Sequence, residues 1–433
     1  MKIRIVKTSD ASFAALMGKI VERRGSRESE TEKRVEEIIA AVRQQGDRAL
    51  FRYTQMFDRV TITAATVEVK KSEMDAAVAR VPQKHIATLR LAAKRIAAFH
   101  RRQLQKSWQY RDPLGMVLGQ RITPLERVGV YVPGGKACYP STVLMNAMPA
   151  TVAGVREIIM TSPLGASSDI VLAAAKIAGV HRIFRVGGAQ AIAALAYGTA
   201  SIPKVDKIVG PGNIFVATAK RMVFGETDID SIAGPSEILL LADDSADPKH
   251  VAADMLSQAE HDELAAALCV TTSMPMALAI QAMVEEQLSS SKREAISVKA
   301  LARYGAIIVA RGEAEMIELS NTIAPEHIEL LVKRPQRLAA QIRNAGAIFL
   351  GAYSAPPLGD YMAGPNHVLP TGGSARFFSP LGTYDFLKRT TIIHAERKAL
   401  RSLAPQITQL ARLEGLDDHA RAVEVRFNNN VRQ

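Results

Sequence analysis

Apolar residues recur at helical spacing over residues 28–50, where Val35, Ile38, Ile39, Val42, Ala49 and Leu50 fall on one stripe, and again over 72–104. From Val128 the pattern changes. Short β-branched runs alternate with alanine-rich segments: RVGVYV, TVLMNAMPATVAGV, EIIMTS, DIVLAAAKIAGV, RIFRVGG and AQAIAALAYGTA. The series continues through KIVGPGN, a helix to Phe224 and the strand EILLLADD. A second series of the same texture follows: a helix from Pro248 through His261, AAALCVTT, a helix from Met274, AIIVA, a helix near 313–322, HIELLV and AIFLG. Strand–helix alternation of this kind predicts parallel sheet with helices on its faces. Residues 353–383, rich in Gly and Pro, read as an ordered loop, and the last fifty residues read as helical.

A chain of 433 residues is too long for one ordinary core, so two to four domains or one large composite are expected. With 48% hydrophobic and 23% charged residues, the composition is that of a soluble globular protein. No apolar run reaches the roughly 18 residues of a membrane span, and MKIRIVKTSDASF has no signal-peptide core. Two cysteines, Cys138 and Cys269, are too few for a disulfide framework or a cysteine metal cage, and a cytoplasmic location is expected. The net charge of +12 first suggests nucleic acid. Residues 1–127, however, hold 26 Lys and Arg against 14 Asp and Glu, and the remainder holds 29 of each. Arg23-Arg24 and Arg101-Arg102 offer a phosphate-tracking face, but one Trp and no nucleic-acid motif leave a solvated helical surface as the expectation, with neither nucleic acid nor membrane as partner.

Five glycine-rich turns sit where strands should end: YVPGGKA, VGGAQA, VGPGN, AGPSE and MAGPNH. Glycine lets a backbone approach a ligand closely, and open α/β sheets bind ligands beyond the carboxyl ends of their strands. The G-x-G-x-x-G fingerprint is absent, Phe215 standing where its last Gly belongs, and there is no Walker A sequence. In SQAEHDEL, Gln258 and His261 are three apart on an expected helix and share a face. A metal held there needs further ligands, and Asp360, His367 and His419 are the candidates. In APEHIEL, Pro325 biases its predecessor away from helix and puts Glu326 and His327 at a loop-to-strand junction. There both side chains can reach one cavity, with His327 as general base and Glu326 activating a water; a strand-edge ion pair is the plainer alternative. Cys138, two residues from Lys136, is a candidate nucleophile for aldehyde oxidation, whereas Cys269 lies in an apolar run and reads as core.

Over essentially its whole length the chain resembles the L-histidinol dehydrogenase family. The segments that carry the resemblance are GVYVPGGKACYPSTVLMNAMPATVAGV, VGGAQAIAALAYGT, VDKIVGPGNIFVATAKR, IDSIAGPSEILLLADD, SQAEHD, APEHIEL, GDYMAGPNHVLPTGGSARFFSPLGTYDFLKRT and EGLDDHARAVEVR. The resemblance implies a four-electron oxidation of L-histidinol through the aldehyde to L-histidine, with two NAD⁺ used in turn and one Zn²⁺ per subunit. It places the metal ligands at Gln258, His261, Asp360 and His419, and the catalytic pair at Glu326 and His327. It removes the need for Cys138. Substrate contacts fall on Ser236, Glu414 and His419, beside Gln258, His261, His327 and Asp360, and cofactor contacts on Tyr131, Gln190 and Asn213. The implied fold is α/β, with two incomplete Rossmann-like domains, one of residues 25–132 with 237–381 and one of 133–236. An N-terminal helical arm (1–24) and a C-terminal arm (382–433) flank them. A homodimer with shared active sites is implied, the C-terminal arm carrying Glu414 and His419 into the partner's site. Thr151 stands where many relatives have Lys. A related dehydrogenase of another diol or amino alcohol, such as a sulfopropanediol, is the nearest alternative; a metal-dependent hydrolase is a more distant one.

Overall fold

The computed structural model describes residues 1–22, 29–134, 139–164, 168–232 and 234–427. Cys138 and Lys136 lie outside the described residues. The chain forms two compact units, one of Met1–Gln103 with Leu125–Phe386 and one of Leu104–Pro124 with Leu387–Gln433.

The first unit is built on two parallel sheets, as the strand–helix alternation leads one to expect. Strands are numbered along the chain. The six-stranded sheet has the order β1 (Ile5–Lys7), β11 (Ala306–Val309), β10 (Ala266–Thr271), β9 (Glu237–Ala242), β12 (His327–Leu331), β13 (Ala347–Leu350), and every pair in it is parallel. Its central strands are buried on both faces, which is why they read as unbroken apolar runs. Ile238, Leu240 and Leu331 pack against the helices Pro248–Ala259 and Met274–Leu288. Leu239, Leu241, Ile328 and Leu330 pack on the opposite face, against Ala11–Glu22 and Glu313–Ile323.

The five-stranded sheet has the order β6 (Arg182–Phe184), β5 (Glu157–Thr161), β4 (Arg127–Tyr131), β7 (Lys207–Val209), β8 (Asp228–Ile229), again all parallel. The chain starts at β4, builds outward to β6, and returns to the other side of β4 with β7. The crevice between β4 and β7 is therefore the topological switch point, where sheets of this kind receive ligands. The helical N-terminal segment covers this sheet: Val35, Ile38, Val42 and Leu50 meet Ile192, Leu195 and Val216 in one cluster.

Two placements differ from the sequence reading. Residues 1–24 are not helical throughout, because Ile5–Lys7 pair with β11 and extend the six-stranded sheet. The strand before the first glycine-rich turn, β4, pairs with β5 and β7 in the five-stranded sheet and not with the strands after Glu237.

The second unit contains an antiparallel sheet of β14 (Leu387–His394), β3 (Val117–Pro124) and β2 (Trp108–Arg111), followed by the helices Arg397–Leu413 and Asp417–Glu424. The last fifty residues thus open with a strand. Its Thr390-Thr391-Ile392-Ile393 run favours extended backbone, but both faces are largely exposed and no apolar alternation announces it. Among the described residues no helix is long and apolar enough to cross a membrane.

Candidate active site

The junction at Pro325 forms where the sequence places it, but Ala324 leaves the helix through the left-handed region and not through the extended backbone that a following proline favours. The helix Glu313–Ile323 ends with Ala324 at φ 48°, a left-handed cap, and β12 begins at His327. Glu326 and His327 are both buried, each with 7% of its surface exposed. One residue of the neighbouring strand holds both. The Glu237 N–H donates to Glu326 Oε2 at 3.0 Å, and the Glu237 carbonyl faces His327 Nδ1 at 3.3 Å. A carbonyl only accepts, so Nδ1 carries the proton of the neutral ring and Nε2 is the free base. Nε2 is buried and lacks a hydrogen-bond partner among the described residues. Asp360 Oδ1 lies 3.8 Å away, beyond hydrogen-bond range.

The two side chains bear on each other, with Nδ1 of His327 3.9 Å from Glu326 Oε2. Burial pushes the Glu326 acid up to about 7, although the His327 ring and the Glu237 N–H oppose the shift. Burial disfavours a charged His327, but the Glu326 and Asp360 carboxyls outweigh it and hold the ring above the usual histidine value. The ring also lies 5.9 Å, centroid to centroid, from that of Phe349 on β13.

All strands of a parallel sheet start on one edge, so this pair and Ser236, just before β9, lie at the amino edge of the six-stranded sheet. The AGPSE turn lies between β8 and β9 and leads into the amino end of β9, and MAGPNH runs on from the π-helical turn Gly359–Ala363 and not from a strand, contrary to the expectation that every glycine-rich turn marks a strand's carboxyl end. The Pro248–Ala259 helix crosses from β9 to β10 and brings its own carboxyl end to the same edge. It delivers Gln258, which is buried with its amide nitrogen unpartnered among the described residues, and His261 just beyond it. The outer surface of His261 meets solvent, yet its ring is enclosed enough for desolvation to hold it below the usual histidine value, with Asp360 and His327 among the charges that act on it.

Asp360 sits in a single π-helical turn, Gly359–Ala363; such turns are frequent at functional sites. Gly364 ends it at φ +110°, where a Cβ would meet the Arg95 carbonyl oxygen at 2.8 Å. Burial raises the Asp360 pKa, but His327, His367 and His261 together pull it below the usual carboxylate value. His367 faces the Asp360 carbonyl with Nδ1 at 3.1 Å, so it orients the turn. A pocket of about 580 Å³ opens here, lined by His327, Asp360, His367, Phe349, Leu358 and Leu381. The loop also reaches the other sheet: Asn366 Nδ2 donates to the Met145 carbonyl at 2.7 Å, in the helix that follows the first glycine-rich turn.

At the carboxyl edge of the five-stranded sheet, Tyr131, Gln190 and Asn213 gather around the switch-point crevice. Tyr131 ends β4, and its hydroxyl oxygen accepts the Gly188 N–H at 3.1 Å; burial pushes its pKa up to about 12. Gln190 is 1% exposed, and neither of its amide atoms has a partner among the described residues. Asn213 caps the Ile214–Val223 helix, its Oδ1 accepting from the N–H groups of Phe215 and Val216. That leaves its amide nitrogen for a ligand. Gly210, at φ +114°, approaches Tyr131 so closely that a Cβ would lie 2.1 Å from the Tyr131 carbonyl oxygen.

Two residues here carry no motif in the sequence. Glu237 acts through its backbone, which residue type cannot reveal. Asp58 ends the Asp47–Asp58 helix and accepts the Gly187 N–H. Its second oxygen is buried and unpartnered among the described residues, and burial raises its pKa. Cys269 is a free, fully buried thiol within the β10 core, its pKa pushed up to about 12 by burial. Glu414 and His419 belong to the second unit, where both are exposed.

Fold and site together define an α/β oxidoreductase of the Rossmann-like kind. Residues 21–427 match the family model described as Histidinol dehydrogenase. The Histidinol dehydrogenase of Syntrophotalea carbinolica is 55% identical over 430 residues, covering 99% of this chain and 100% of that protein. That of Aquifex aeolicus is 51% identical over 429 residues, with coverage of 99% and 100%. The crystal structure of histidinol dehydrogenase from Elizabethkingia anophelis superposes with a TM-score of 0.92 at 34% identity, covering 98% of both chains. The chain belongs to the histidinol dehydrogenase family.

Proposed function

We propose that the protein oxidises L-histidinol to L-histidine in two NAD-linked steps at a site that holds Zn²⁺. The observation that carries this reading is the double grip of Glu237 on Glu326 and His327, which leaves His327 Nε2 free beside Asp360. A base so placed takes the substrate's hydroxyl proton in the first oxidation. Glu326 takes a proton from the water that adds to the aldehyde carbon. His327 then takes the hydroxyl proton of the resulting hydrate in the second oxidation.

Among the described residues no cluster of three or more His, Cys, Asp or Glu side chains is arranged around a metal position. The first unit offers an amide (Gln258), a neutral imidazole (His261) and an ionised carboxylate (Asp360), a donor set that suits Zn²⁺ with one position left over. His419, from the C-terminal arm of a partner subunit, is the proposed fourth ligand, and Glu414 of that arm together with Ser236 would bind substrate. Zn²⁺ would supply a positive centre for the substrate's amine and imidazole nitrogens. The unpartnered amide of Gln190, the Tyr131 hydroxyl and the free amide nitrogen of Asn213, at a helix N-terminus, suit NAD; its role is to accept hydride.

Stoichiometry tests the reading. Purified protein given L-histidinol and NAD⁺ is expected to form two NADH per histidine. One NADH per turnover with the aldehyde released would contradict the two-step assignment, and no NADH at all would remove the activity.

A further inference from the structure

Two carboxyl groups meet inside the first unit, below the catalytic pair. Glu329 lies in the middle of β12, in register with Leu240 on β9 and Phe349 on β13, and is wholly buried. It faces Asp254 of the Pro248–Ala259 helix, also buried, and the two carboxyls bear on each other. Neither Glu329 oxygen has a hydrogen-bond donor among the described residues. Two buried carboxyls that face each other without a cation cannot both be charged, so one of the pair keeps its proton. His250, one turn earlier on the helix, also bears on Asp254, and the Cys269 thiol on β10 also faces Glu329. Burial, with Asp254 opposite, pushes the Glu329 acid up to about 9, and burial raises Asp254 as well.

The position of this contact gives it meaning. Glu329 follows His327 by two residues, so both side chains leave β12 on the same face. That face meets the helix, as Leu331, two residues further on, packs with Val251 and Met255. On the helix, Asp254 and Gln258 lie one turn apart on a single stripe, and His261, just past the helix end, continues it by donating its N–H to the Gln258 carbonyl at 3.3 Å. The helix runs against the strands, as a crossover must, so Asp254 lies deep and Gln258 and His261 lie at the amino edge. Two strand residues rise about 6.6 Å and one helical turn about 5.4 Å. The Asp254–Glu329 contact is therefore one rung below the level at which Gln258 and His261 face His327.

We propose that the Asp254–Glu329 contact locks the register between the Pro248–Ala259 helix and β12, making both acids positioning residues that hold Gln258 and His261 against Glu326 and His327. What those four residues do rests on the function proposed above; the lock itself rests on the packing.

The test separates the two. In metal-free protein the parent is expected to lose thermal stability as pH rises from about 4.5 toward about 9. The folded chain keeps a proton there that the unfolded chain has released. The double variant Asp254→Asn/Glu329→Gln replaces the acid pair by an amide pair and is expected to flatten that slope. An unchanged slope would overturn the shared proton. For positioning, Zn²⁺ affinity is measured by competition with a chromophoric chelator, and kcat and KM are measured for histidinol. Glu329→Leu is expected to lose about 10- to 100-fold in Zn²⁺ affinity, as disruption of the groups supporting a ligand does, and to lose kcat more than KM. The amide pair is expected to recover most of that loss. A folded Glu329→Leu protein with parental affinity and kcat would overturn the lock. If Glu329→Leu does not fold, Asp254→Asn/Glu329→Gln and Glu329→Gln decide the matter: a folded amide pair that binds Zn²⁺ as poorly as metal-site variants do would also overturn it. A parent that binds no Zn²⁺ refutes the functional reading, while the pH slope still decides the carboxyl pair.

Discussion

His327 and Glu326 are adjacent in sequence but are assigned different steps, and substitution separates them. His327→Asn removes the base proposed for both oxidations, so both are expected to slow by about 10²- to 10⁴-fold. Glu326→Gln keeps the contact with the Glu237 N–H but takes no proton from water. Aldehyde-to-acid conversion is expected to slow far more than alcohol oxidation, as single-turnover measurement with histidinol and with histidinaldehyde will show. Equal damage to both steps would refute the division of labour. Because Glu326 is proposed to act ionised and its acid is pushed up to about 7, the aldehyde step is expected to speed up as pH climbs through that value and to level off above it. The Gln variant should lose this rise. Pro325 and the junction made both residues candidates, but the sequence around them read as readily as a strand-edge ion pair, and their roles come from the family resemblance. Glu329, by contrast, read only as an interruption of an apolar strand. Its meaning lies in Asp254, 75 residues earlier in the chain, and no local pattern joins them.

Whole elements act here by carrying residues to an edge. The Ile214–Val223 helix is anchored in this way. Lys220 is 2% exposed; its Nζ donates to the Gly210 carbonyl at 2.9 Å and pairs with Asp230. Asp230 in turn accepts the Gly210 N–H at 2.8 Å. The buried ion pair thus clamps both polar groups of the residue that opens the GPGN turn, three residues before Asn213. Lys220→Met leaves Asp230 buried without its cation, and breaking a pair of this kind costs about 3–5 kcal/mol. Denaturant unfolding is expected to show a loss of that order, and the folded fraction should show a raised KM for NAD⁺ with little change in the KM for histidinol. Parental stability would mean that Asp230 does not need the cation. At this scale the sequence was informative wherever burial imposed a period: β9, β10, β11 and β12 were all visible as apolar runs. It was silent where pairing is distant and solvent-exposed. β14 pairs with β3 across most of the chain, and β2 exposes all four residues, so neither carries an apolar stripe. The edge used by the site was also hidden, since glycine-rich turns look alike whether they end a strand or begin one.

Across the whole molecule, the distribution of the proposed site residues between the two units poses the last question. Gln258, His261, Glu326, His327 and Asp360 belong to the first unit, and Glu414 and His419 to the second. The second unit exposes Ile393, Leu410 and Leu413 at 71%, 62% and 76%. If a partner's C-terminal arm completes each site, loss of His327 and loss of His419 damage different halves of one site. His327→Asn and His419→Asn homodimers are each expected to be nearly inactive. In a heterodimer, one of the two sites receives its first-unit residues from the His419→Asn chain and its arm from the His327→Asn chain, and is intact. The other carries both defects. Heterodimers purified with two different affinity tags should therefore regain about half the parental kcat per dimer, with parental KM, since one of two sites works. A self-contained site leaves every site in the heterodimer with one defect, so no activity returns. The proportion recovered thus distinguishes a site built across two subunits from one built within each.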